Sequence, residues 1–132
     1  MRKFLQNKLW RDKAIDLLEQ NHGSRIHWRY LDDHEFDKQI RLKLLEEAQE
    51  AARALSHKEL VDELADLFEV IDALCNFKKI SVEEVYTVQT EKRIERGGFF
   101  RRKFVEIAEH PANSFGEKYC LASPEKYPEI ID

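Results

Sequence analysis

LLEEAQEAARAL at Leu44–Leu55, SHKE at Ser56–Glu59 and LVDELADLFEVI at Leu60–Ile71 form one continuous stretch that decides the fold. Shifted by sixteen positions, the first segment matches the third in residue type: Leu44 with Leu60, Leu45 with Val61, Glu46 with Asp62, Glu47 with Glu63, Glu50 with Asp66 and Leu55 with Ile71. Each carries apolar residues at helical spacing, Leu44, Ala48, Ala51 and Leu55 in one and Leu60, Leu64, Leu67 and Ile71 in the other. Two acids three residues apart border each stripe, Glu47 and Glu50, then Glu63 and Asp66. The short polar link predicts an antiparallel helical hairpin. Counting outward from Ser56–His57 sets Glu47 level with Asp66 and Glu50 level with Glu63. Four carboxylates then converge, and like charges so placed repel unless a cation neutralises them. Oxygen ligands without His or Cys suit a hard ion, Mg²⁺ or Mn²⁺. An ordinary solvated acidic face is the competing reading.

Around this stretch, 132 residues suffice for a single modest core. With 36% charged residues the sequence describes an amphipathic, water-soluble chain, and a formal charge of −4 gives no case for general nucleic-acid binding. Four glycines and three prolines favour long helices over an all-β fold. Cys75 and Cys120 have neither metal-ligand spacing nor the pattern of a disulfide framework. No apolar run reaches membrane-span length and the N-terminus lacks a signal-peptide core, so a cytoplasmic setting and no membrane partner are expected.

Residues 1–21, with Phe4, Leu5, Leu9, Trp10, Ile15, Leu17 and Leu18, predict a first helix or helix-like arm ending at Gly23. Arg25–Leu31 alternates apolar and polar residues, as a short extended segment would. Asp32 or Asp33 caps a second helix running to about Leu55 and a third follows to about Phe77. Ser81 with Glu84 forms a capping box for a fourth, which ends before Gly97-Gly98. Residues 99–109 read as a short helix or wrap and 110–132 as an irregular tail whose Phe115, Tyr119 and Tyr127 dock on the domain or a partner chain. The expected organisation is therefore a helical domain at 1–109 and a tail at 110–132.

Glu46-Glu47-x-x-Glu50 followed by Glu63-x-x-Asp66 resembles the EExxE…ExxD pattern of the MazG-like, all-α nucleoside triphosphate pyrophosphohydrolase superfamily. Lys8-Leu9-Trp10-Arg11-Asp12-Lys13 and Lys92-Arg93-Ile94-Glu95-Arg96-Gly97-Gly98-Phe99 resemble flanking pieces of its phosphoribosyl-ATP pyrophosphohydrolase-like subgroup. Trp10 and Ile15 depart from that subgroup's commoner aliphatic residue and proline. The resemblance implies a Mg²⁺-dependent enzyme that splits a nucleotide between its α- and β-phosphates into a nucleoside monophosphate and pyrophosphate. It implies Glu47, Glu50, Glu63 and Asp66 as metal ligands, with Glu46 binding a further ion or orienting and deprotonating the attacking water. Glu46, Glu47 and Glu50 are thereby the catalytic acids. The natural substrate is expected to be a non-canonical or surplus nucleotide, with phosphoribosyl-ATP as the rival. A helical module that binds metal or a partner without turnover is the alternative from another class.

Phosphates out of the metal's reach need cations, and Arg11, Lys13, Lys92, Arg93 and Arg96 are the candidates for substrate binding. Basic residues also close helices simply by complementing the dipole, which is the plainer role of the last three. Trp10, Trp28 and Tyr30 offer faces for stacking on a base, although core or dimer contacts are the commoner use of such rings. The five histidines form no ligand-spaced set. Cys75 sits among apolar neighbours as a buried thiol, and Asp72 and Asn76 read as solvent-facing. One hairpin plus one helix makes a thin core, so the expected all-α fold is a core of about four helices completed into a bundle by a dimer or a dimer of dimers.

Overall fold

The computed structural model describes all 132 residues and is all-helical, with no strand. Its helices are α1 (Ala14–His22), α2 (Asp33–Arg53), α3 (His57–Lys78), α4 (Val82–Arg96) and α5 (Phe115–Leu121). The chain divides into two compact units, Met1–Ile94 and Glu95–Asp132, with the boundary inside the last turn of α4. No helix is long and apolar enough to cross a membrane.

In the first unit α2 and α3 pack on each other. Both begin where a side chain can take an orphan N–H: Asp32 accepts from Glu35 N–H at 2.8 Å, and Ser56 Oγ accepts from Glu59 N–H at 3.1 Å. Glu59 Oε2 reaches back to Leu55 N–H at 3.2 Å, which completes a reciprocal cap and fixes the turn between the helices. The α2–α3 pair is antiparallel, because the start of α2 meets the end of α3. Phe36 and Phe77 stand edge to face at 4.9 Å, and Asp37 accepts from Lys78 Nζ at 3.0 Å. Ile40, Val70 and Cys75 are the buried apolar residues, all in this end of the hairpin. The expected stripe is buried only in part. Leu44, Ala51, Leu67 and Ile71 are half-buried, while Leu55, Leu60 and Leu64 near the turn lie exposed.

The expected first helix is shorter than its apolar content suggests. Residues 1–12 are not helical, and α1 starts at Ala14 after a turn in which Ala14 N–H bonds Arg11 C=O at 3.0 Å. The helix stops at Gly23, whose φ of 66° is the left-handed C-cap anticipated from the sequence. Residues 25–31 are irregular, with no strand partner to give the alternation a ladder. At α4, Ser81 does not make the expected capping box: its hydroxyl donates to Glu83 Oε2 at 2.8 Å, and Glu84 N–H bonds the Ser81 carbonyl. This helix buries none of its residues.

In the second unit residues 99–109 form no helix, and the tail, expected to be irregular, contains α5. Ser114 Oγ caps Glu117 N–H at 3.3 Å, and Glu117 Oε1 accepts from Asn113 N–H at 3.1 Å. The tail aromatics pack against one another with tilted rings, Phe115 and Tyr119 at 5.8 Å and Tyr119 and Tyr127 at 5.7 Å.

Candidate metal centre

Lys43, Glu46, Glu47 and Glu50 succeed one another at spacings of three, one and three on α2, so they share one side of the helix. The hairpin turn then sets α3 so that Glu63 faces Glu50. One carboxylate oxygen from each of Glu47, Glu50 and Glu63 lies within 4.8 Å of the other two. Glu47 is 6% exposed and is the one buried charged residue of the chain. Its Oε2 and that of Glu63 are buried without any hydrogen-bond donor. A buried unpaired carboxylate oxygen carries a desolvation cost that native structures otherwise avoid. Burial, and then the Glu50 carboxylate beside it, push the Glu47 pKa up from its ordinary value. Two orphaned oxygens and three converging carboxylates are a donor set that fits a hard divalent cation, with room left for water or phosphate oxygens.

The fourth expected ligand, Asp66, stands outside this trio. Arg11 holds it, donating to Oδ1 at 2.8 Å across fifty-five positions of sequence. Glu46 is held in the same manner by Lys8, which donates to Oε1 at 2.9 Å. Lys43 adds contacts of 3.5 Å to Glu46 and 3.4 Å to Glu47. The Lys8 hydrogen bond, aided by Lys43, keeps the Glu46 pKa below its ordinary value even though partial burial opposes the shift. Glu46 is therefore ionised at neutral pH and able to accept a hydrogen bond from water.

Of the expected phosphate-binding cations within the first unit, only Arg11 meets the acidic patch. Lys13 is the exposed N-cap residue of α1, and its side chain makes no capping hydrogen bond. Lys92 and Arg93 are exposed on α4, and Arg96 at the end of that helix belongs to the second unit. Trp10 is half-buried; Trp28 and Tyr30 are exposed and pack edge to face at 4.9 Å. Asp72 and Asn76 are exposed as expected, and Cys75 is a buried free thiol. Sequence reasoning assigned no role to Lys8 or Lys43. The second had a visible signal, since it stands three and four residues before Glu46 and Glu47.

The family model of the MazG nucleotide pyrophosphohydrolase domain matches residues 37–98, from the second turn of α2 to two residues past α4. The match contains the whole acidic trio, Glu46 and Asp66, and leaves Lys8–Lys13 outside. It supports a nucleotide pyrophosphohydrolase activity in general. No curated protein and no solved structure matches the chain.

Proposed function

We propose, from the match of the MazG family model to residues 37–98, that the chain is a Mg²⁺-dependent hydrolase of nucleoside triphosphates. It cleaves the α–β phosphoanhydride to give a nucleoside monophosphate and pyrophosphate. The observation that carries the reading is the buried Glu47 carboxylate, whose Oε2 has no donor beside Glu50 and Glu63. Such a group raises the energy of the cation-free protein and has no use in an inert helical hairpin.

Glu47, Glu50, Glu63 and Asp66 are the proposed ligands. Bound among them, Mg²⁺, or Mn²⁺ in its place, supplies Lewis-acid neutralisation of phosphate charge and acidifies water. Glu46 orients the attacking water, and its lowered pKa keeps it in the ionised form that this role requires. Arg11 and Lys13, with Lys92, Arg93 and Arg96, are the proposed cations for the polyphosphate. The nucleotide is proposed to be non-canonical or surplus.

The active form is proposed to be a homodimer or a dimer of dimers. Leu60, Val61, Leu64 and Phe68 on α3, with Val85 and Tyr86 on α4, are exposed apolar residues that a second copy would cover. Two free cysteines agree with a reducing, cytoplasmic setting.

The test is pyrophosphate release from a panel of nucleoside triphosphates, canonical and modified, with Mg²⁺ and with chelator. Release from at least one nucleotide that stops in chelator, and that Glu50→Gln abolishes while helicity by circular dichroism is kept, is the expected result. No release from any member, with no effect of Mg²⁺ on thermal stability, would remove the enzyme reading in favour of a non-catalytic module.

A further inference from the structure

Lys8 and Arg11 precede the first helix, yet their side chains end on opposite helices of the hairpin, Lys8 on Glu46 of α2 and Arg11 on Asp66 of α3. Both cations remain more than half exposed, 51% and 60%, so neither is locked by packing. The arm itself has no helix or ladder to hold its backbone before the turn at Arg11–Ala14. Five carboxylates meet three cations here: Glu46, Glu47, Glu50, Glu63 and Asp66 against Lys8, Arg11 and Lys43. The shortfall is two positive charges, the charge of one divalent ion.

That ion and Arg11 compete for the same carboxylate. Asp66 lies outside the oxygen trio while the guanidinium holds it. A divalent ion arriving alone must expel Arg11 from Asp66 and leave the guanidinium without an anion. An ion arriving with a polyphosphate gives Arg11 a new anionic partner, and a guanidinium fork matches phosphate as well as carboxylate. The same exchange is open to the Lys8 ammonium, as a point charge.

We propose that Lys8 and Arg11 are exchange residues, which hold Glu46 and Asp66 in the cation-free protein and pass to phosphate oxygens when metal and polyphosphate enter together. The proposal rests on the metal-site reading given above. Its consequence is that divalent cation and polyphosphate bind as a coupled pair, and the cation alone binds weakly. By linkage the coupling factor is the same from either ligand.

Isothermal titration of the full chain with Mn²⁺ alone, and with an equimolar Mn²⁺–tripolyphosphate complex, reads this directly. The wild type is expected to bind the complex about tenfold or more tighter than Mn²⁺. Arg11→Gln is expected to bind Mn²⁺ alone several-fold tighter than the wild type, because the competitor is gone, and to lose the preference for the complex. Lys8→Gln should change both in the same directions by a smaller factor, and it serves if the Arg11 variant proves unfolded by circular dichroism. A residue that only anchors the arm would lower thermal stability and leave both affinities in their wild-type ratio; that ratio overturns the proposal. Weaker Mn²⁺ binding in Arg11→Gln overturns it too. A wild type that binds neither Mn²⁺ nor the complex sinks the metal-site reading itself, whereas coupled wild-type binding with unaltered variants sinks only the exchange.

Discussion

Glu47→Gln should make the cation-free protein more stable and the Mg²⁺-containing protein less responsive. The side chain is buried beside two other carboxylates, each with an oxygen within 4.8 Å. At an effective dielectric constant of about 20, like charges at that separation repel by about 3.5 kcal/mol per pair. Lys43, 3.4 Å from Glu47 Oε1, returns about 5 kcal/mol on the same scale, but it shares its charge with Glu46. Two repulsions less the whole of that attraction leave about 2 kcal/mol of net destabilisation, a lower bound once Lys43 is divided with Glu46 and of the same size as the cost of an orphaned buried oxygen. Glutamine keeps the shape, removes the charge and offers its amide N–H to a neighbouring carboxylate. A gain of about 2 kcal/mol corresponds to a rise in Tm of about 8 °C for a chain of this size. In the wild type, Mg²⁺ at about a hundred times its Kd should add about 2.7 kcal/mol, or about 11 °C. The variant should lose most of that increment, so the order of the two proteins in chelator narrows or inverts in Mg²⁺. Thermal melts followed by circular dichroism, in chelator and in excess Mg²⁺, measure all four values. A variant that melts lower than wild type in chelator and still gains the full Mg²⁺ increment would refute the reasoning, because Glu47 would then be a structural acid with partners of its own.

Two further perturbations address the scaffold. Ser56→Ala removes the hydroxyl that accepts Glu59 N–H at the start of α3 and should cost about 1 kcal/mol, read as a fall in the denaturation midpoint. The Mg²⁺ increment in Tm should survive it, since the cap lies outside the acidic trio. Asp37→Asn should lower stability at neutral pH and make the protein less sensitive to acid. Lys78, aided by Arg41, holds the Asp37 pKa below its ordinary value of 3.8, so the carboxylate's contribution is present above that value and disappears as pH falls through the lower native one. Denaturant midpoints of the two proteins should therefore converge below pH 3.8; parallel curves through the acid range would show that the Asp37 charge contributes nothing.

The hairpin was legible because its signals are local. Caps at Asp32 and Ser56, helical spacing and the sixteen-residue correspondence put both helices within two residues of their observed ends. Counting from the turn also put Glu50 opposite Glu63. The counter-ions were less legible, since Lys8–Glu46 and Arg11–Asp66 join residues thirty-eight and fifty-five positions apart, beyond any periodicity. Phe4, Leu5, Leu9 and Trp10 read as helix content, yet the arm that bears them stays non-helical as far as Lys13. The α5 helix was missed although Ser114-x-x-Glu117 is a capping-box sequence, because the surrounding Pro111, Gly116 and Pro124 outweighed it. Burial could not be read at all near the turn, where Leu55, Leu60 and Leu64 match the helical stripe but find no partner within the chain.

Stability and chemistry are separated along the α2–α3 pair. The stabilising contacts cluster at the end remote from the turn, with Phe36 against Phe77, Asp37 between Lys78 and Arg41, and Ile40, Val70 and Cys75 buried beside them. The acidic trio lies toward the turn; Glu47 is ten residues from Asp37, or about 15 Å along a helix. Cooperative helix packing carries stabilisation over that length, so the turn end can tolerate a carboxylate that the local environment disfavours. Moving the acids to the far end would place unpaired charge in the only buried apolar core of the unit. Moving the core toward the turn would cover the oxygens that the proposed site offers to a ligand. The polarity of the hairpin, apolar and paired at one end and acidic and under-satisfied at the other, is what a helical pair needs if one site on it is to stay electrostatically unsatisfied until a cation and a phosphate arrive.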